Sequence, residues 1–301
     1  MSEYPAYSTT VKLLALSRYG QVAPRLMEAL LRGFYDLDAI LSADKQALTH
    51  ISGVSPAMAA RIIASRTRLN DASAYADELR GRDIGVTSRF DDPYPRRLFE
   101  LNDPPLMLYC RGRLLSSDRK AVAIVGSDEA TADGIEMASR LSRLFSEAGV
   151  QVLASLEGGI AAAAHLAAKS VGRPSFALID SGFDAIEGSE KMTLAIDIAA
   201  TGGVLSEYPP ETAASDETMA QSNRLLVGLT NAVVFTELYK NSRRALDLLE
   251  FCNQIGKLTF FFTDPKAGVL ADEHSLRIAL VNGAIPMSGF QSTPDIIRSL
   301  V

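Results

Sequence analysis

The segment AVAIVGS, residues 121–127, constrains the fold more than any other. Five apolar residues, small or β-branched, run without a polar break into Gly126 and the hydroxyl of Ser127. A strand with no polar side has to be covered on both faces, which is the situation of a central strand in a parallel sheet. Similar apolar runs follow at residues 150–155, 174–180, 203–207, 231–237 and 258–263, with enough chain between them for helices. That alternation predicts an α/β fold: a Rossmann-like, mostly parallel sheet with helices on both faces. Ligands of such sheets lie beyond the carboxyl ends of the strands, so a site is expected at the loop containing Gly126.

Upstream the rhythm is different. Residues 11–80 space their apolar side chains three and four apart, with breaks at Gly20, Gly33 and Gly53, which predicts a small all-α domain. The expected division is therefore a helical domain over residues 1–82 and a sheet domain over 83–301. Within the first, the order Ile51, Gly53, Val54, Ala59, Ile62 resembles a helix-hairpin-helix of the SAM-like kind, with Ser55 where the second hairpin glycine would stand. The amides of such a turn and of the following helix can receive a DNA phosphate. The same hairpin can instead only pack helices, and Arg61, Arg66 and Arg68 either extend a basic face or are simply solvated.

Charge narrows the possibilities. The net charge is −6, with residues 1–88 carrying 10 Lys and Arg against 9 Asp and Glu, and residues 89–301 carrying 20 against 27. An acidic sheet domain can attract a polyanion only through a local patch. Cys110 and Cys252 lie in apolar surroundings and resemble neither a metal nor a disulfide framework, so buried free thiols are expected. No apolar run approaches the roughly 18 residues of a membrane span, and the start has no signal pattern. A cytoplasmic protein with no membrane association is expected.

The passage PYPRRLFELNDPPLMLYCRG, residues 93–112, uses four prolines to fix an irregular entry, then a strand over 106–109 and a turn at Arg111 and Gly112. With VAIVGS after it, then GGIAAAAH at 158–165, LSEYPP at 205–210, SNRLLVGLTNAVVFTE at 222–237 and NGAIP at 282–286, the sequence resembles the DNA-processing protein A family, also called DprA or Smf. The resemblance covers about residues 10 to 300. It implies a Rossmann-like domain that dimerises, binds single-stranded DNA in a basic pocket at the strand ends, and loads a RecA-type recombinase during natural transformation. It implies no enzyme and no cofactor. Many members continue into a winged-helix domain, whose contribution is not expected here.

The residues that match or stand near the family's pocket are Gly126 and Ser127, Gly158 and Gly159, Asn223 and Arg224, with Lys191, Arg243 and Arg244 as cations that could reach it. Backbone amides at helix starts and guanidinium forks are what phosphate recognition requires. Several positions depart from the family pattern. Asp128 stands for an arginine, Ser155 for a glycine, Ala161 for an aspartate, Glu157 adds a charge that repels anions, and Ser222 replaces the first of two arginines. Beyond Glu237 a serine-glycine turn becomes NSRRAL, and FFFTDP at 260–265 replaces a proline-glycine pair. The bland reading makes Arg243 and Arg244 a solvated helix start and Lys191 an exposed side chain.

Catalytic and metal readings find little support. His50, His165 and His274 are too scattered for a metal site. His165 is expected to be a satisfied structural histidine in the helix after the second loop. Ser127 and Ser155 lie in no GxSxG elbow, and GSDEAT is not the GxGxxG of a dinucleotide site. Glu237 reads as a residue that caps or tethers a neighbouring loop. The last helix is expected to start with Thr293 as N-cap and Pro294 behind it. Two alternatives to DNA binding stay open: a protein-interaction module on a degraded anion pocket, and a protein that binds a small nucleotide.

Overall fold

The structure, a computed structural model, describes residues 7–127, 129–186, 188–239, 241–263 and 271–300. Two compact units emerge, one reaching up to Tyr94 and taking back Asn102–Tyr109, the other formed by Pro95–Leu101 and the chain from Cys110 onward.

The first unit holds α1 (Thr9–Leu14), α2 (Pro24–Phe34), α3 (Leu37–Ser42), α4 (Lys45–Thr49), α5 (Pro56–Ser65) and α6 (Leu69–Gly81), then strand β1 (Gly85–Ser88). Its helices are short, and side-chain caps start most of them: Ser8, Asp36, Asp44 and Ser55 each accept an N–H two or three residues into the helix, which satisfies a donor the helix itself cannot. Leu13, Leu14, Leu16, Met27, Leu30, Ile40, Leu41, Leu48 and Ile62 are buried together as its core. The sequence places a boundary after residue 82, whereas this unit runs on because the next loop is bonded into it. Asp91 accepts from the Ser88 backbone and hydroxyl and from the Thr10 hydroxyl, and Tyr94 donates its hydroxyl to the Pro105 carbonyl at 2.7 Å.

Strand β2 (Met107–Gly112) carries the chain into the second unit. It is longer than the expected 106–109: Arg111 and Gly112 continue it, and Arg113 then donates to the Gly202 carbonyl. There follow β3 (Ala121–Val125), α7 (Ala132–Glu147), β4 (Gln151–Ser155), α8 (Ile160–Ser170), β5 (Ser175–Leu178), α9 (Ser189–Thr201), β6 (Gly203–Ser206), α10 (Asp216–Gly228), β7 (Ala232–Phe235), α11 (Arg243–Gln254), β8 (Leu258–Thr263), α12 (Glu273–Val281), β9 (Ile285–Ser288) and α13 (Thr293–Ser299). The strands of this unit are ordered β6-β5-β4-β3-β7-β8-β9. Each neighbouring pair is parallel, with Ala121 opposite Gln151 and Val122 opposite Ala232.

Burial explains that arrangement. Strands β5, β6 and β7 are buried at every position, so both faces are covered by helices, as their unbroken apolar runs predict. Val122, Ile124, Val152, Val234, Phe260 and Phe262 pack on one face against Met137, Leu141 and Phe145 of α7 and Ile160, Ala163 and Ala164 of α8. The order reverses at β3: β4, β5 and β6 extend to one side, while β7 returns to the other. A crevice at the carboxyl ends of β3, β4 and β7 is the geometric consequence. At the far end of the chain the expected cap is displaced. A 3₁₀ turn over Phe290–Ser292 runs directly into α13, so Thr293 is its first helical residue and Ser292 is the N-cap without a side-chain bond.

Candidate functional site

Of the helices that begin at the carboxyl edge of the sheet, α7 to α11 follow β3, β4, β5, β6 and β7, and their first turns decide what that edge can hold. Two are closed by the protein itself. Thr131 caps α7 by accepting from the Gly134 N–H, while its own N–H and hydroxyl donate to Glu237, the hydroxyl at 2.6 Å from Oε2. Glu237 therefore places a buried carboxylate where a bound anion would otherwise sit, and burial raises its pKa although both Thr131 bonds pull it down. Helix α10 is closed by a capping box between Ser215 and Thr218. Helices α8, α9 and α11 start without a side-chain cap. The positive ends of their dipoles are the anion-attracting features of this edge, although the first N–H of α11, that of Arg243, already donates to the Asn241 carbonyl.

The glycines here answer to close approach. A Cβ on Gly126 would stand 2.6 Å from Ile160 Cγ1, so β3 ends hard against the start of α8. Gly159, the N-cap of α8, takes φ +61°, where an L side chain is strained. Ser127 is buried and accepts a 2.5 Å bond from the Ser242 hydroxyl, which ties the β3 loop to the start of α11. Ser242 thus spends its hydroxyl on Ser127 instead of capping its own helix.

His165 shapes the second loop from beneath. Its Nε2 lies 2.9 Å from the Ser155 carbonyl, which can only accept, so Nε2 carries the proton and Nδ1 accepts from the Ser175 hydroxyl at 3.0 Å. Full burial pushes its pKa down to about 4. This is the structural histidine expected from the sequence, and it presents no base to solvent.

A cavity of about 370 Å³ opens beyond β4 and β5. Leu156, Ile179, Ile186 and Ala213 supply apolar walls, and Glu157, Asp180, Lys191 and Arg244 supply the charge. The structure brings Lys191 and Arg244 together here, and it corrects the expectation of a basic pocket. Lys191 lies 2.7 Å from Glu157, and Arg244 lies 3.7 Å from Asp180. Arg224 pairs with Glu207 at 2.7 Å with both side chains nearly buried, at 11% and 15% exposed. Arg243 stands 89% exposed outside the cavity, 3.8 Å from Asp247 one turn along its own helix. Asn223 is buried beside Ser222, whose hydroxyl donates to the Ile179 carbonyl. Each cation of the cavity is matched by an acid because its neighbouring strand end carries one. Tyr208 registers that field: burial first, then Glu207, Glu217 and Asp180 against Arg224, pushes its hydroxyl up to about 12.

The sequence reading missed Asp180 and Glu207 as partners. An acid that ends an apolar strand, as in FALID, lies at the ligand edge of a parallel sheet and was the available signal. Asp128 and residues 264 and 265 of FFFTDP lie outside the described residues. Among the described residues no group of three His, Cys, Asp or Glu could hold a metal ion, and no helix is long and apolar enough to cross a membrane. Cys110 and Cys252 are free and buried, and burial pushes both thiols up to about 12.

Residues 85–266, from β1 through β8, match the family of DNA recombination-mediator protein A. The chain belongs to that family. Residues 21–66 match the SAM-like helix-hairpin-helix tandem, in agreement with α2 to α5. The chain is similar to protein Smf of Synechocystis, 29% identical over 275 residues, 90% of this chain and 68% of that protein. It is also similar to the DNA processing protein DprA of Bacillus subtilis, 32% identical over 181 residues, 58% of this chain and 60% of the relative. In fold, this DprA/Smf chain resembles the X-ray structure of DprA from Streptococcus pneumoniae, with a TM-score of 0.78 and 22% identity over 96% of this chain and 98% of that one. It also resembles DNA processing protein A from Helicobacter pylori, described for its single-stranded DNA binding mode, with a TM-score of 0.60 and 19% identity over 72% and 95%.

Proposed function

We propose that this DprA/Smf-family protein binds single-stranded DNA at the carboxyl edge of its sheet and acts in DNA recombination with a RecA-type recombinase, as a homodimer and without catalysis. The observation that carries the reading is the trio of helix starts without a side-chain cap, α8, α9 and α11: Gly126 stands against the start of α8, Ser242 before α11 is bonded to Ser127, and Lys191 of α9 meets Glu157. Amides and helix dipoles hold phosphates without regard to sequence, and Arg243 adds a solvated cation beside them. The family relationship and the single-stranded DNA binding stated for the Helicobacter pylori protein support the same reading.

Labelled oligothymidylate titrated with the protein at low and moderate salt tests it by fluorescence anisotropy. Binding at micromolar protein that weakens with salt is expected. No binding at low salt, or binding indifferent to salt, overturns it. The paired charges in the cavity favour a second reading, in which the same fold serves as a protein-interaction module. Recovery of a stable partner unrelated to recombination, with no RecA-type protein, is the result that reading expects.

A further inference from the structure

Resting on the single-stranded DNA reading, we infer that Glu157 and Asp180 are internal competitors for phosphate, which hold Lys191 and Arg244 in the free protein and set how many phosphates the site neutralises. The geometry is that of a replaceable contact. The Lys191–Glu157 pair is open to water, with side chains 43% and 48% exposed, so it contributes little to folding. Asp180 and Arg244 are closer to buried, at 21% and 20%, yet their 3.7 Å separation exceeds hydrogen-bond length. Neither arrangement is a rigid structural brace. Both acids project into one cavity whose other charged lining residues, among the described residues, are the two cations they hold.

A strand entering this cavity faces an exchange. Each phosphate that reaches Lys191 or Arg244 displaces a carboxylate that stays beside it, so attraction to the cation is offset by repulsion from the acid. Counterion release is suppressed for the same reason. A cation already neutralised within the protein adds little to the salt dependence of binding, whereas a freed one adds about 0.7 to its logarithmic slope on a single strand. Glu157 and Asp180 are thus affinity-limiting residues, and α8, α9 and α11 are left to carry binding through their amides.

The double substitution Glu157→Gln with Asp180→Asn keeps side-chain size and removes both negative charges. Oligothymidylate affinity at moderate salt is expected to rise about tenfold, and the salt slope to steepen by about 1.4. Adding Lys191→Ala and Arg244→Ala is expected to return the slope to the parent's value. Glu147→Gln, at an exposed acid at the opposite end of α7, removes one negative charge away from the cavity, the control for Glu157→Gln alone, and is expected to leave the slope alone. If Asp180→Asn disturbs folding by thermal melting, Glu157→Gln alone is expected to steepen the slope by about 0.7. Parent binding with an unchanged slope in the variants overturns the inference and leaves the DNA reading intact. Absence of binding in parent and variants alike overturns the DNA reading itself. Binding at moderate salt gained only by the variants, with the parent binding at low salt, supports the inference.

Discussion

At the scale of single residues, His165 is the side chain whose protonation bears most directly on stability. Its neutral ring bridges the Ser155 carbonyl and the Ser175 hydroxyl in full burial, so the folded protein takes up the proton only near pH 4, against an ordinary value of 6.5. Between those values the unfolded chain binds more protons, and stability therefore falls with falling pH. Going from pH 7 to pH 5, this group costs about 2 kcal/mol. Glu237 acts with the opposite sign: its raised pKa contributes stability at acidic pH that is lost as pH rises through the folded value. Urea denaturation at the two pH values isolates the histidine. The parent is expected to lose most of that 2 kcal/mol, and His165→Gln, which keeps a donor and an acceptor, to lose clearly less. The sequence marks His165 as structural through its place in a small-residue helix, but not its partners, because Ser155 and Ser175 reach it from two different strands.

At the scale of elements, helix starts determine where this fold is closed and where it stays open. Gly134 shows how tightly the α7 start is built, since a Cβ there would stand 2.2 Å from Glu237 Oε2 and 2.5 Å from its Cδ. Gly81, the last residue of α6, would place a Cβ in open space. One substitution made at both sites therefore has opposite signs. Gly134→Ala is expected to destabilise by about 2 kcal/mol through overpacking, and Gly81→Ala to stabilise by about 0.5 kcal/mol through the unfolded chain. Chemical denaturation of the two variants checks the pair, and equal shifts would refute the argument. Sequence pattern put α6 in the helical unit and left room for α7 between two strands. It did not reveal that Gly134 is reserved for a carboxylate, because four further strands, β4 to β7, pass along the chain before Glu237 is reached.

For the whole molecule, the balance of charge decides how strongly a polyanion is held. The chain is net acidic at −6, and the cations at its crevice are paired internally, so few are left to release counterions from DNA. Oligothymidylate binding is accordingly expected to weaken by less than about tenfold when salt rises fourfold, as for no more than two neutralised phosphates. Anisotropy across that range is the check, and a far steeper dependence would mean that the pairs open freely. What the sequence determined alone is the framework: apolar runs without a polar side specify covered parallel strands, three-and-four spacing specifies the helical unit, and the ordered motifs specify the family. Those signals are local, because strand and helix periodicity are properties of neighbouring residues. The electrostatic character of the crevice was decided only by tertiary structure. Glu157 meets Lys191, Asp180 meets Arg244 and Glu207 meets Arg224 where separate strands end side by side, and a charge is neutralised by whatever lies within a few ångströms in space, however far away it stands in the chain.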